Sequence, residues 1–251
     1  MCDLVQLIPT VSYRYNMPQA RDVPALSVSL TADDMITVDF GSHEKANTQV
    51  RTFWQHLQLN PLPGYLHPVA GMNCLSFFID QENLGAPDLE AMMQQIKGVA
   101  THSLGLAPKK GRTLEIPICY DISMAPDLER LAEHCGISVK EVVRRHSSGK
   151  YIAQLIGFLP GFVYLGGLDP KLATPRLASP RAKVTAGSLG IAGAQCAVYP
   201  TSSPGGWNLI GRSPLRLFDP KKDVPTTIQL GDEIRFLPIS IDEFERQWAS
   251  R

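Results

Sequence analysis

Apolar positions recur along this chain with two different periods. Residues 26–30 read as a strand, and residues 35–40 alternate apolar and polar with period two, the pattern of a half-buried strand. Val50, Phe53, Trp54 and Leu57 then recur at helical spacing behind Asn47, a residue suited to capping a helix. Residues 73–79 are apolar enough for a buried strand. Pro87 and Asp88 open a second helix that runs through Met92, Met93 and Ile96 towards His102, with Gly105 and Pro108 to end it. This strand–helix–strand–helix order predicts a sheet with helices on one face. The polar stretch 106–112, with its proline and glycine, reads as a linker.

Residues 114–119 form a further strand candidate, followed by two short helices. Pro126 suits the first helical position of one. Ser138 with Glu141 forms a capping box for the other, which carries Val139, Val142 and Val143. After Tyr151 the texture changes: between Gly157 and Pro214, 17 of 58 residues are Gly or Pro. Short apolar runs sit between them at 152–159, 190–192, 197–199, 209–211 and 215–218, with two more at 228–230 and 233–237. Many short strands punctuated by turns predict a β-barrel or sandwich. Residues 241–248 read as a helix with Phe244 and Trp248 on one face. The expected architecture is an α+β domain over residues 1–108 and a mostly-β barrel over 109–251, with a helical insert near 126–147.

Composition narrows the class. With 251 residues, 44% hydrophobic and 19% charged, the chain has enough apolar content for one large domain or two small ones, which argues against general disorder. No apolar run approaches membrane-spanning length, and the start lacks the basic and apolar regions of a signal peptide. Cys2, Cys74, Cys119, Cys135 and Cys196 are widely spaced with no CxxC pair, as expected of reduced thiols in a cytoplasmic protein. Net charge is zero, yet residues 142–218 hold nine Lys or Arg against the single acidic Asp169, a local excess of +8. Such a surface favours an anionic partner: a phosphate, a small carboxylate or an acidic protein face. The basic residues are spread among Gly and Pro without any nucleic-acid-binding motif, so nucleic acid is not expected.

No P-loop, dinucleotide fingerprint or nucleophile elbow is present, and the six histidines lack metal-ligand spacing. His146 could line a cleft, but a lone histidine is more often a packed residue. Three segments stand out. Residues 157–167 (GFLPGFVYLGG) combine glycines, which allow close backbone approach, with aromatics. Thr174-Pro175-Arg176 and Ser179-Pro180-Arg181 set two guanidinium forks on stiff loops, which suits carboxylate or phosphate recognition. Tyr199-Pro200 and Ser203 to Arg212 bring an aromatic, free backbone N–H groups and an arginine together, as an anion nest would. Tight turns of a small barrel would account for the same glycines and prolines.

Taken together, GFLPGFVYLGGLDPKLATPR, VTAGSLGIAGAQCAVYP and SPGGWNLIGR closely resemble the signature of the KipI-like family, which includes the B subunit of bacterial 5-oxoprolinase and the matching subdomains of urea carboxylase and of allophanate hydrolase subunit 1. ADDMITVDFG, APDLERLA and HCGISVKEVVRRH fit the same family. The resemblance implies a cyclophilin-like barrel behind an α+β domain. It implies two partners, the KipA-like C subunit of 5-oxoprolinase and its A subunit, with which the complex opens 5-oxoproline to glutamate. ATP enters through the complex, and no metal site is implied in this chain. The density of these motifs and the local basic charge predict a cleft lined by Phe158, Pro160, Gly161, Phe162, Tyr199 and Trp207, in which Arg176, Arg212, Gln195, Gly205 and Gly206 are expected to bind an anionic substrate.

The sequence departs from the family at residues 119–125, where a Gly-rich stretch is usual, and at His67, Ala70 and Met72; about 30 residues also precede the first matching strand. Competing readings are a KipI-like inhibitor of a sensor histidine kinase and a subunit of an allophanate- or urea-type amidohydrolase or carboxyltransferase. A proline isomerase is disfavoured, since the cyclophilin catalytic segment is absent and fold alone does not give function.

Overall fold

The computed structural model describes residues 26–84 and 88–250, so the expectations for Cys2, Pro87 and the start of the chain lie outside the described residues. Strands β1 (Ser27–Ala32), β2 (Met35–Asp39), β3 (Val69–Ala70) and β4 (Cys74–Phe78) form an antiparallel sheet in the order β1-β2-β4-β3. Helices α1 (Ala46–Leu59) and α3 (Leu89–Ser103), with the short α2 (Gln81–Leu84) between them in sequence, supply its helical cover. The alternation in β2 and β4 buries Ile36, Val38, Leu75 and Phe77 against Val50 and Phe53 of α1 and Ile96 of α3. Asp88 caps α3 as the sequence suggests, accepting from the Ala91 N–H at 3.0 Å.

Asn47 does not cap α1. The cap position is Lys45, which makes no side-chain capping bond. Asn47 sits inside the first turn, where its Nδ2 donates to the Met72 carbonyl at 2.8 Å and to the Gln154 carbonyl at 2.9 Å. Its amide therefore ties α1 to the barrel, a long-range use that local pattern does not reveal.

The barrel is built from β5 (Thr113–Cys119), β6 (Tyr151–Ile156), β7 (Val163–Gly166), β9 (Ser188–Ala192), β10 (Gln195–Val198), β12 (Asn208–Arg212) and β13 (Glu233–Ile239). They close in the order β10-β7-β6-β13-β5-β12-β9, with β5 and β13 parallel and the other neighbours antiparallel. The fold is thus α+β with a closed barrel. Ile116, Ile118, Tyr151, Leu165, Ile191, Cys196 and Phe236 fill its core. Helices α4 (Leu128–Cys135) and α5 (Val139–Ser148) pack on it through Leu128, Leu131 and Val142, and α6 (Ile241–Ala249) follows β13. Ser138 caps α5 by accepting from the Glu141 N–H at 3.2 Å.

Three local expectations change. Pro126 lies outside α4, whose cap is Asp127. Residues 215–218 and 228–230 are not strands: Leu217, Ile228 and Leu230 are buried from irregular loops, which meet at an isolated Phe218–Thr226 bridge and through the Thr227 N–H donating to the Leu217 carbonyl at 2.9 Å. Strands β8 (Arg181–Val184) and β11 (Ser203–Gly205), too short to show a period, form a separate two-stranded ribbon beside the barrel.

His146 is fully buried, stacked on Phe236 at 4.7 Å between ring centroids, with Nδ1 2.8 Å from the Tyr120 hydroxyl. Burial pushes its pKa down to about 3. It is a neutral core residue.

Candidate functional site

A cleft of about 570 Å³ opens on the outer wall of the barrel, between β7, β10 and the β8–β11 ribbon. Strand alternation builds it. In β7, Val163 and Leu165 point into the barrel core, so Tyr164 and the preceding Phe162 face outwards. In β10, Cys196 and Val198 fill the core, which places Gln195, Ala197 and Tyr199 on the cleft side. The outward faces of β9 and β12 add Ala192 and Leu209 to the same apolar cluster as Trp207.

Phe162 is the hub of the aromatic wall. Its ring meets Phe158 at 5.3 Å, Tyr164 at 5.0 Å, Tyr199 at 5.1 Å and Trp207 at 5.6 Å, all edge to face. Such pairs add to the stability of the wall beyond the area they bury. Gly205 is required by this packing, because a Cβ there would stand within van der Waals overlap of the Tyr199 hydroxyl. Gly206 contributes through its carbonyl, which accepts from the Leu177 N–H at 2.7 Å.

Arg176 stands exposed at the cleft and, among the described residues, makes no ion pair or hydrogen bond. Its charge favours ionisation of the Tyr164 and Tyr199 phenols, although desolvation dominates and leaves both raised. The backbone on either side of it is held. Pro175 accepts from Asn208 Nδ2 at 2.9 Å, and Leu177 donates to Gly206. Asn208 is itself fully buried, donating also to the Ile191 carbonyl at 3.0 Å and accepting from Arg130. Next to it, the buried carboxylate of Asp127 accepts from the Leu209 N–H and from Arg181, each at 2.7 Å. The second arginine of the Pro-Arg pair is therefore neutralised, and the first is free.

Gln195 lines the cleft, and its Nε2 is buried without a hydrogen-bond partner among the described residues. A buried donor left unpaired is costly unless something fills the space beside it. The cleft thus offers one guanidinium fork, one buried amide donor and an aromatic wall, a combination that fits a small molecule with one carboxylate, one acceptor oxygen and an apolar face.

Of the residues expected at the site, Phe158, Phe162, Arg176, Gln195, Tyr199, Gly205, Gly206 and Trp207 line this cleft together. Pro160 and Gly161 do not. Gly161 has φ 78°, and a Cβ there would approach Cβ of Phe218 to 2.7 Å, so it shapes the turn that presents Phe162. Arg212 does not line the cleft either: its Nε donates to the Ala186 carbonyl at 3.0 Å and its guanidinium covers Trp248 of α6. Tyr164, Pro175, Pro180 and Pro204 line the cleft beyond the residues expected from sequence; the spacing of Tyr164 two residues after Phe162 is the signal that points to it. Among the described residues no group of three or more side chains could hold a metal ion, and no helix is long and apolar enough to cross a membrane.

The family described as carboxyltransferase domain, subdomain C and D, matches residues 26–228. The chain belongs to this family. That match takes in the sheet and every residue lining the cleft, and stops short of β13 and α6. Among curated members, the chain is 42% identical over 190 residues to the B subunit of 5-oxoprolinase from Escherichia coli O157:H7, covering 75% of this chain and 85% of that protein. It is 34% identical over 222 residues to the B subunit of 5-oxoprolinase from Bacillus subtilis (strain 168), covering 84% and 92%. The crystal structure of TTHA0988 superposes with a TM-score of 0.69 and 32% identity over 82% of this chain, which spans only 40% of that longer one.

Proposed function

We propose that this carboxyltransferase-family chain is the B subunit of an ATP-dependent 5-oxoprolinase-type complex that opens 5-oxoproline to glutamate, active only together with its companion A and C subunits. The observation that carries the reading is the 34–42% identity to the B subunits of 5-oxoprolinases over most of the chain. The cleft chemistry supports it. 5-Oxoproline has one carboxylate, one lactam oxygen and a flat apolar ring edge. Arg176 would hold the carboxylate, Gln195 Nε2 would donate to the lactam oxygen, and Phe162, Tyr164 and Trp207 would wall the ring.

ATP is assigned to the complex rather than to this cleft. A single unpaired guanidinium matches one carboxylate and is a poor match for a triphosphate, and the sequence holds no P-loop motif. The chain's own contribution is to bind the lactam, fix its carboxylate and exclude water from one face of the ring. The test is glutamate release from 5-oxoproline and ATP by the chain co-expressed with its candidate A and C subunits, each omitted in turn. Loss of activity on omitting this chain is expected. An assembled, folded complex without activity would direct the search to another amide.

A further inference from the structure

Phe158 is the one described non-glycine residue with φ in the left-handed region, at 74°. A bulky side chain there is disfavoured, because Cβ crowds the neighbouring peptide. The residue is also 62% exposed, so burial of the ring does not offset the strain. Glycine stands one position before it and three after it, yet the strained position carries a phenylalanine. Its ring touches Phe162, the hub of the aromatic wall, and lies at the rim of the cleft that holds the free Arg176. Backbone strain held under an exposed aromatic ring is the signature of a recognition element whose packing partner is supplied by a ligand.

We infer that Phe158 is a specificity-determining residue of the cleft: its ring covers the apolar face of a small cyclic carboxylate anchored by Arg176, and so favours a ring-bearing substrate over its open-chain product. The inference rests on the reading of this cleft as the 5-oxoproline site. Phe158 lines the same pocket as Phe162, Tyr164 and Trp207 and is the most exposed of the four rings. An extended dicarboxylate such as glutamate presents no ring face to it and leaves more readily.

The test uses the reconstituted complex with Phe158→Gly, Phe158→Tyr and Arg176→Ala, following kcat and KM for 5-oxoproline, assembly by gel filtration and the Tm of this chain. Phe158→Gly relieves the strain while deleting the ring. Its Tm is expected to stay within about 2 °C of wild type or to rise, while KM rises about three- to ten-fold and kcat changes by less than about two-fold. Phe158→Tyr keeps the ring and should keep KM close to wild type. A KM unchanged by Phe158→Gly but raised by Arg176→Ala would leave the cleft as the site and remove Phe158 from recognition. A fall of many degrees in Tm would make the ring a packing residue, and loss of assembly would assign it to an interface within the complex; either overturns the inference. If KM responds to neither Phe158→Gly nor Arg176→Ala, the cleft reading itself fails and the inference goes with it.

Discussion

The guanidinium carbon of Arg212 lies 4.3 Å from the centroid of the Trp248 ring, with Phe244 of the same helix 5.6 Å away. Because Arg212 Nε also donates to the Ala186 carbonyl, the side chain bridges the end of β12, the turn before β9 and α6. A locally basic, Gly-rich segment suggests an anion ligand; the fold uses this arginine as a latch for a helix instead. Arg212→Ala is expected to lower stability by about 1–2 kcal/mol, through lost cation–π contact and lost packing of the long side chain, with no change in KM for 5-oxoproline. Urea unfolding and steady-state kinetics on the same preparation check both halves. A raised KM at unchanged stability would return Arg212 to the substrate site.

Arg176 should behave in the opposite way. It is exposed and makes no ion pair or hydrogen bond among the described residues, so its removal should leave the unfolding midpoint unchanged. Losing a charge-assisted contact to a carboxylate should raise KM by roughly 10- to 100-fold in the assembled complex. Arg176→Lys should fall between, since it keeps the charge and loses the planar fork. Wild-type KM in both variants would take the carboxylate away from this residue.

These two arginines mark what is legible in a sequence and what is not. The dense Gly, Pro and aromatic motifs around Phe162, Gln195 and Tyr199 are local and mark these residues in the sequence, while the pairing of β7 with β10 that brings them to a common site is long-range. The charge of Arg176, Arg181 and Arg212 is equally visible, but which of them is taken up by a partner elsewhere in the fold is not. Arg212 meets an aromatic helix about 35 positions further along the chain, and Arg181 meets Asp127 more than 50 positions earlier. Asn47 departs from its expected capping role for the same reason: its Nδ2 serves a carbonyl 107 positions away while its Oδ1 accepts from Arg51 one turn along, and neither atom caps the helix. The ribbon of β8 and β11 leaves no trace in the pattern because four- and three-residue strands carry too few alternations to establish a period.

Asp127 offers a test of how the Arg176 loop is held. Its carboxylate is nearly fully buried and accepts from the Leu209 N–H and Arg181. Asp127→Ala would strand a partly buried guanidinium and a buried backbone donor, at a cost of about 3–5 kcal/mol. Asp127→Asn, which can still accept one of the two bonds, should cost less. Both should raise KM as well, because Arg181 also reaches the Trp207 carbonyl in the cleft wall. Equilibrium unfolding that failed to separate either variant from wild type would show that this buried pair contributes nothing net.

His146 should give the barrel an acid-sensitive core. Its folded pKa of about 3 lies below its ordinary 6.5, because burial among Phe236, Tyr120 and Tyr151 disfavours the charged ring. The two phenols facing it are themselves pushed up by burial and stay neutral across this range. Between pH 6.5 and 3 the unfolded chain binds a proton on this residue that the folded chain refuses. The stability it contributes is therefore complete above about pH 6.5 and declines as pH falls, by about 1.4 kcal/mol per pH unit, until the folded pKa is reached. Carboxylates titrate in the same window, so the informative quantity is the difference between wild type and His146→Gln, whose amide can still meet the Tyr120 hydroxyl but does not titrate. That difference should be flat from pH 7 to 8 and shift steadily against the wild type from pH 6 to 4.5 in urea unfolding. A difference that stays flat throughout would mean that His146 takes up its proton in the fold as readily as in the unfolded chain, contrary to its sealed position on Phe236.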